Sequence, residues 1–164
     1  MPHETRRGDR VSVVAQPDEV GVRVFTKGHA GALYGRDFKY DRCLGPETEQ
    51  APFFERCGVT SLLNAAMEGY SGTICAYGQT GSGKTYTMSG VEEGKAPELD
   101  GLIPRAIDYL FNSLAQLNAR VAVRASFLEV YNERVFDLLN PSDQSLPLRW
   151  GSNVYFVQVR SLCQ

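Results

Sequence analysis

The chain has 164 residues, 43% of them apolar and 22% charged, with a formal net charge of −2. That length suits one domain around one core, and the composition argues against both disorder and a membrane protein. The small negative charge gives no global attraction to nucleic acid or any other polyanion, so no nucleic-acid partner is expected.

Residues 1–10 mix Arg6, Arg7 and Arg10 with Glu4 and Asp9 and lack the apolar centre of a secretory signal. No apolar run approaches the roughly 20 residues of a spanning helix, so no membrane insertion is expected. Short strands are predicted at 10–14 and 21–25 around a Pro17-Asp18-Glu19 turn, and another at 37–41, where Phe38 and Tyr40 share a face. Val59, Leu62, Leu63, Ala66 and Met67 form one helical stripe, with Gly69 placed to end the helix. Residues 73–77 are a continuous apolar run, the pattern of a strand buried on both faces. The polar stretch 89–100 reads as a surface loop. A second helix is predicted over 103–117, with Pro104 near its start and Ile103, Ile107, Leu110, Phe111, Leu114 and Leu117 as its apolar face. Residues 121–131 alternate like a strand. Leu146, Leu148 and Trp150, then Gly151-Ser152-Asn153, then Tyr155, Val157 and Val159, read as a hairpin. Strands alternating with helices predict an α/β sandwich around a largely buried sheet.

Gly78-Gln79-Thr80-Gly81-Ser82-Gly83-Lys84-Thr85 matches G-x-x-x-x-G-K-[ST] in full. The glycines admit backbone conformations that let successive N–H groups converge on phosphate oxygens. A helix opening after the loop would add its positive end. Lys84 can set an ammonium between the β- and γ-phosphates, and the Thr85 hydroxyl can ligate magnesium. The expected ligands are therefore a nucleoside triphosphate and Mg2+.

Hydrolysis also needs an acid on the magnesium side and a group that positions water. Glu129 is the one candidate acid, but it sits inside an alternating strand pattern and is read as structural. No catalytic residue is therefore assigned within the chain. Arg7-Gly8-Asp9 is read as coincidental, and His3 and His29 have no partner at metal-ligand spacing. Cys43, Cys57, Cys75 and Cys163 are widely separated, which points away from a disulfide framework or zinc site and toward a reducing cytosol.

Residues 69–88, from Gly69-Tyr70-Ser71-Gly72 through the phosphate loop to Tyr86-Thr87-Met88, closely resemble the kinesin motor signature. Gly101-Leu102-Ile103-Pro104-Arg105 is similar to the family's G-[IL]-I-P-R, and residues 126–139 to its S-x-x-E-[IV]-Y-N-E-x-[VI]-x-D-L-L. The resemblance implies a P-loop NTPase with the three-layer α/β/α sandwich of a kinesin motor, MgATP as ligand and microtubules as partner, in the cytoplasmic cytoskeleton. It also implies that Tyr86 stacks on adenine, and that the 146–160 hairpin approaches β-tubulin.

The family's R-x-R-P strand and its switches N-x-x-S-S-R-S-H and D-x-A-G-S-E do not occur in these residues. The expectation is thus an incomplete sandwich: residues 1–164 as one partial motor domain, an interior piece of roughly half its length, inactive alone. Two other readings stay open. One is a non-motile fragment that binds nucleotide or a partner. The other is an unrelated P-loop kinase, which would need a lid carrying arginines; no arginine cluster follows the loop.

Overall fold

The computed structural model describes residues 12–16, 18–27, 32–91, 96–117, 120–140, 142, 144–152 and 154–157. They fall in two compact units, Met1–Leu117 and Asn118–Gln164. Arg7-Gly8-Asp9, His3, His29, Cys163, the predicted strand start at Arg10, the turn residues Pro17 and Asn153, and Val159 and Arg160 all lie outside the described residues.

The first unit opens with an antiparallel sheet in the order β1 (Val13–Ala15), β2 (Gly21–Lys27), β3 (Leu33–Lys39). The predicted turn joins β1 to β2: the Asp18 carboxylate accepts the N–H groups of Val20 and Gly21 at 3.1 and 3.0 Å. Arg23 and Asp37 face each other across β2 and β3 and pair through two bonds of 2.6 and 2.7 Å. The Arg23 guanidinium holds the Asp37 carboxyl below its ordinary range. Arg56, at the end of helix α1 (Gln50–Arg56), bonds to Glu19 in the same turn and lowers the Glu19 pKa likewise.

Helix α2 (Val59–Met67) matches its predicted bounds. Its end is closed by Gly69, at φ 100°, with Gly69 N–H on the Ala66 carbonyl and Tyr70 N–H on the Ala65 carbonyl, both at 3.0 Å. That pair satisfies two carbonyls the helix would otherwise leave open. Helix α3 (Lys84–Met88) follows the phosphate loop, and α4 (Leu102–Ala115) follows a 3₁₀ turn at Pro97–Leu99. Pro104 is tolerated in α4 because the first-turn amides have no acceptor within the helix.

The core is small. Val59, Leu63 and Leu102 are buried, with Phe53, Phe54, Met88, Ala106 and Leu110 packed against them. Each fully buried side chain of this size contributes roughly 1.5–3 kcal/mol. The face of α4 that packs is therefore Leu102, Ala106, Tyr109 and Leu110, while Ile103, Ile107 and Phe111 from the predicted apolar stripe are exposed. Tyr109 also donates to the Asn64 side chain at 2.8 Å.

The strand predicted at 73–77 does not form. Those residues pair with no other strand among the described residues; Ile74 is 38% exposed and Tyr77 99%. Thr73, Ile74 and Cys75 line an apolar groove of ≈ 300 Å³ with Phe53, Leu62 and Leu102, and all three are exposed. A strand also needs hydrogen-bonded neighbours, and the described residues supply none beside it.

In the second unit 121–127 likewise belongs to no strand, although the Phe127 carbonyl accepts the Leu138 N–H at 2.8 Å, and only β4 (Leu128–Tyr131) forms from the predicted 121–131 strand. It pairs with β5 (Arg134–Asp137) across Asn132 and Glu133, both at positive φ, the geometry of a tight hairpin turn. The predicted second hairpin forms as β6 (Leu148–Gly151) and β7 (Val154–Val157), with the Trp150 and Tyr155 rings 4.6 Å apart. Leu146 bridges to Val135 rather than extending β6.

Candidate functional site

The phosphate loop spans the turn between the unpaired 73–77 segment and α3. Gly81 and Gly83 have φ of 78° and 94°, values that a residue with a Cβ adopts only under strain, and nothing lies within 4 Å of where either Cβ would be. Both positions face open space. One bond closes it internally, from Ser82 N–H to the Gln79 carbonyl at 3.1 Å. Among the described residues, the N–H groups of Gly81, Gly83, Lys84 and Thr85 have no main-chain acceptor. Orphan donors grouped at one turn suit an anion with several oxygens.

Lys84 supplies the charge. Its ammonium donates to the carbonyls of Gly78 and Gln79 at 2.9 and 2.8 Å, folding the side chain back over the loop. Thr85 is exposed, so its hydroxyl can reach a metal beside the phosphates, and the residues present fit a magnesium-bound triphosphate. Tyr86 is 46% exposed, leaving its ring accessible to a base. The positive end expected from the following helix is modest, because α3 has only five residues.

Three features of the site region escaped the sequence reading. Gln50, buried at the start of α1, donates its side-chain amide to the Tyr86 carbonyl at 2.7 Å. Gly101 packs against the backbone of Met88 and Gly90, which closes the loop that separates α3 from α4. Arg105 then donates to the carbonyls of Asp100, Pro97 and Glu98 at 2.9, 3.2 and 3.2 Å. The G-L-I-P-R segment signals both of the last two, once Gly101 is read as a packing residue and Arg105 as a cap. Gln50 has no such signal. In the second unit, Glu129 lies exposed in β4 opposite Phe136, while Asp137 is buried and accepts the Leu139 N–H at 3.0 Å.

A family model of the kinesin motor domain matches residues 2–164. The chain belongs to the kinesin motor domain family. It is 40% identical over 126 residues to kinesin-like protein KIN-5C of Nicotiana tabacum, covering 73% of this chain and 12% of the relative. It is also 40% identical over 146 residues to kinesin-like protein cut7 of Schizosaccharomyces pombe, covering 80% of this chain and 13% of that one. Protein claret segregational of Drosophila melanogaster is 42% identical over 119 residues, 71% of this chain and 16% of the relative. The solved structure of a fast kinesin superposes with a TM-score of 0.82 at 30% identity, covering 98% of this chain and 44% of the other. The chain thus has the α/β P-loop NTPase fold of kinesin motors and spans less than half of that solved chain. The family is nucleotide-binding and binds microtubules. Among the described residues, no helix is long and apolar enough to cross a membrane.

Proposed function

We propose that the gene product containing this sequence is an ATP-hydrolysing motor that moves along microtubules, and that residues 78–85 hold the triphosphate. The observation that carries this reading is the group of orphan amides at Gly81, Gly83, Lys84 and Thr85, with the Lys84 ammonium held within the same loop by the Gly78 and Gln79 carbonyls. In this reading Gly78, Gln79, Thr80, Gly81, Ser82 and Gly83 form the cradle. Lys84 exchanges its two carbonyl bonds for phosphate oxygens. The Thr85 hydroxyl holds Mg2+, and the exposed Tyr86 ring stacks on adenine. When bound, the metal neutralises charge on the phosphate oxygens.

Kinesin-type hydrolysis also uses the two switch sequences, and neither occurs in these 164 residues. Residues 1–164 are accordingly a partial motor domain that does not turn over ATP alone. The β6–β7 hairpin, carrying Arg149 and an exposed Trp150, is the segment offered to tubulin, and the cytoplasmic microtubule cytoskeleton is the location. No nucleic-acid or membrane partner is included. The unpaired 73–77 segment favours a second reading for the isolated chain, a non-motile fragment.

Titration of the intact gene product with MgATP, beside its Lys84→Ala variant, tests the assignment. Saturable binding that Lys84→Ala weakens at least tenfold supports it. Equal binding by both proteins refutes it.

A further inference from the structure

The phosphate-loop helix is held at its two ends by different devices. At the N-terminal end Lys84 ties itself to Gly78 and Gln79 through bonds within the loop. At the C-terminal end the Tyr86 carbonyl faces the capping N–H of Ser89 and accepts bonds from Gly90 N–H at 2.9 Å and from the Gln50 side-chain amide at 2.7 Å. Gln50 is 5% exposed and sits 36 residues earlier in the chain, on the first turn of α1. A buried amide of this kind is retained only when it is paired, because an unpaired one costs desolvation energy with no return. Helix α3 itself has no buried residue; Met88 alone packs against the core cluster. With so little apolar contact, the direction of its last turn depends on polar tethers.

We propose that Gln50 is a positioning residue for the base side of the nucleotide site: it fixes the Tyr86 turn, and so the orientation in which the Tyr86 ring is offered to the purine. This rests on the nucleotide reading above. Because the loop is closed by its own main-chain bond, Ser82 N–H to the Gln79 carbonyl, and Lys84 makes no hydrogen bond to α1 among the described residues, losing the Gln50 tether loosens the Tyr86 end and leaves the phosphate cradle in place. Base recognition and triphosphate recognition therefore separate in a Gln50 variant.

The test uses the intact gene product, with inorganic tripolyphosphate as a ligand that has phosphates and no base. Gln50→Met keeps length and burial and removes the donor. Its dissociation constant for MgATP is expected to rise about three- to tenfold, the worth of one neutral hydrogen bond, with that for tripolyphosphate unchanged within about twofold. Should Gln50→Met not fold, Gln50→Glu keeps the shape and turns a carboxylate oxygen toward the Tyr86 carbonyl; the same ATP-selective loss is expected. Two outcomes overturn the proposal: both ligands weakening together, or neither changing while only the melting temperature falls. Lys84→Ala is the control. If it leaves both ligands bound as tightly as before, the phosphate reading itself has failed; if it weakens both while the Gln50 variants bind normally, only the Gln50 proposal has.

Discussion

A Cβ on Gly101 would lie 2.6 Å from the amide nitrogen of Gly90 and 2.7 Å from the Met88 carbonyl carbon and oxygen. These are backbone atoms and cannot swing aside. The two glycines lie where the loop leaves α3 and returns to α4, beside the bridge between Gly90 and Asp100. Gly101→Ala is expected to destabilise the intact protein by roughly 1–3 kcal/mol, the usual cost of forcing atoms into a filled site. Equilibrium urea unfolding checks this. A loss below half a kilocalorie per mole would show that the loop closes some other way.

Thr85→Ala removes the hydroxyl that the proposed function assigns to the metal. The expected outcome is a higher magnesium requirement for nucleotide binding, with affinity for metal-free nucleotide little changed. Magnesium titrations of nucleotide binding at fixed ATP separate the two. A variant with the wild-type magnesium midpoint would remove Thr85 from the metal site.

The pH dependence follows from two ion pairs. Arg56 lowers the pKa of Glu19 through its hydrogen bond, and Arg23 does the same for Asp37. Both carboxyls have folded-state values below their unfolded ones. The stability they contribute is therefore fully present above the ordinary carboxylate range and is lost as pH falls through the depressed folded values. Both groups are exposed, so the effect is small and screened by salt. Melting between pH 7 and 3 should show a drop in the acid range that Glu19→Gln reduces. A drop unchanged by Glu19→Gln would assign it to other groups.

Legibility in the sequence tracked how local the signal was. The loop motif was readable because its chemistry demands specific residue types in fixed order, and Gly81 and Gly83 take the positive φ that those glycines permit. Helix α2 was readable to the residue because the stripe from Val59 to Met67 and the terminal Gly69 agree. Residues 73–77 were not. A continuous apolar run reports that both faces want cover, but it cannot report whether strands are present to provide it. The alternation at 121–127 misled for the same reason. On α4 the predicted face was rotated from the one that packs: Leu102 and Ala106, outside the predicted stripe, join Leu110 against α2, while Ile103, Ile107 and Phe111 are exposed. Gln50 was invisible because one buried glutamine has no periodicity; only the position of Tyr86 in space gives it a purpose.

The 164-residue chain alone should be a poor folder. Its buried cluster is Val59, Leu63 and Leu102, and Ile107, Phe111, Val123 and Phe127 are exposed. Nucleotide at a hundred times its dissociation constant would add only about 2.7 kcal/mol. Calorimetry of the purified chain is expected to give a broad transition with little shift in MgATP. A sharp melt rising several degrees with MgATP would contradict this.

The central claim is that this phosphate loop belongs to a microtubule-driven ATPase, and steady-state ATP turnover of the intact gene product, with and without microtubules, tests it most directly. The expected result is turnover that microtubules accelerate and that Lys84→Ala abolishes, because the loop then lacks the charge facing the transferring phosphoryl group. Turnover indifferent to microtubules, or surviving Lys84→Ala at near wild-type rate, would contradict the account.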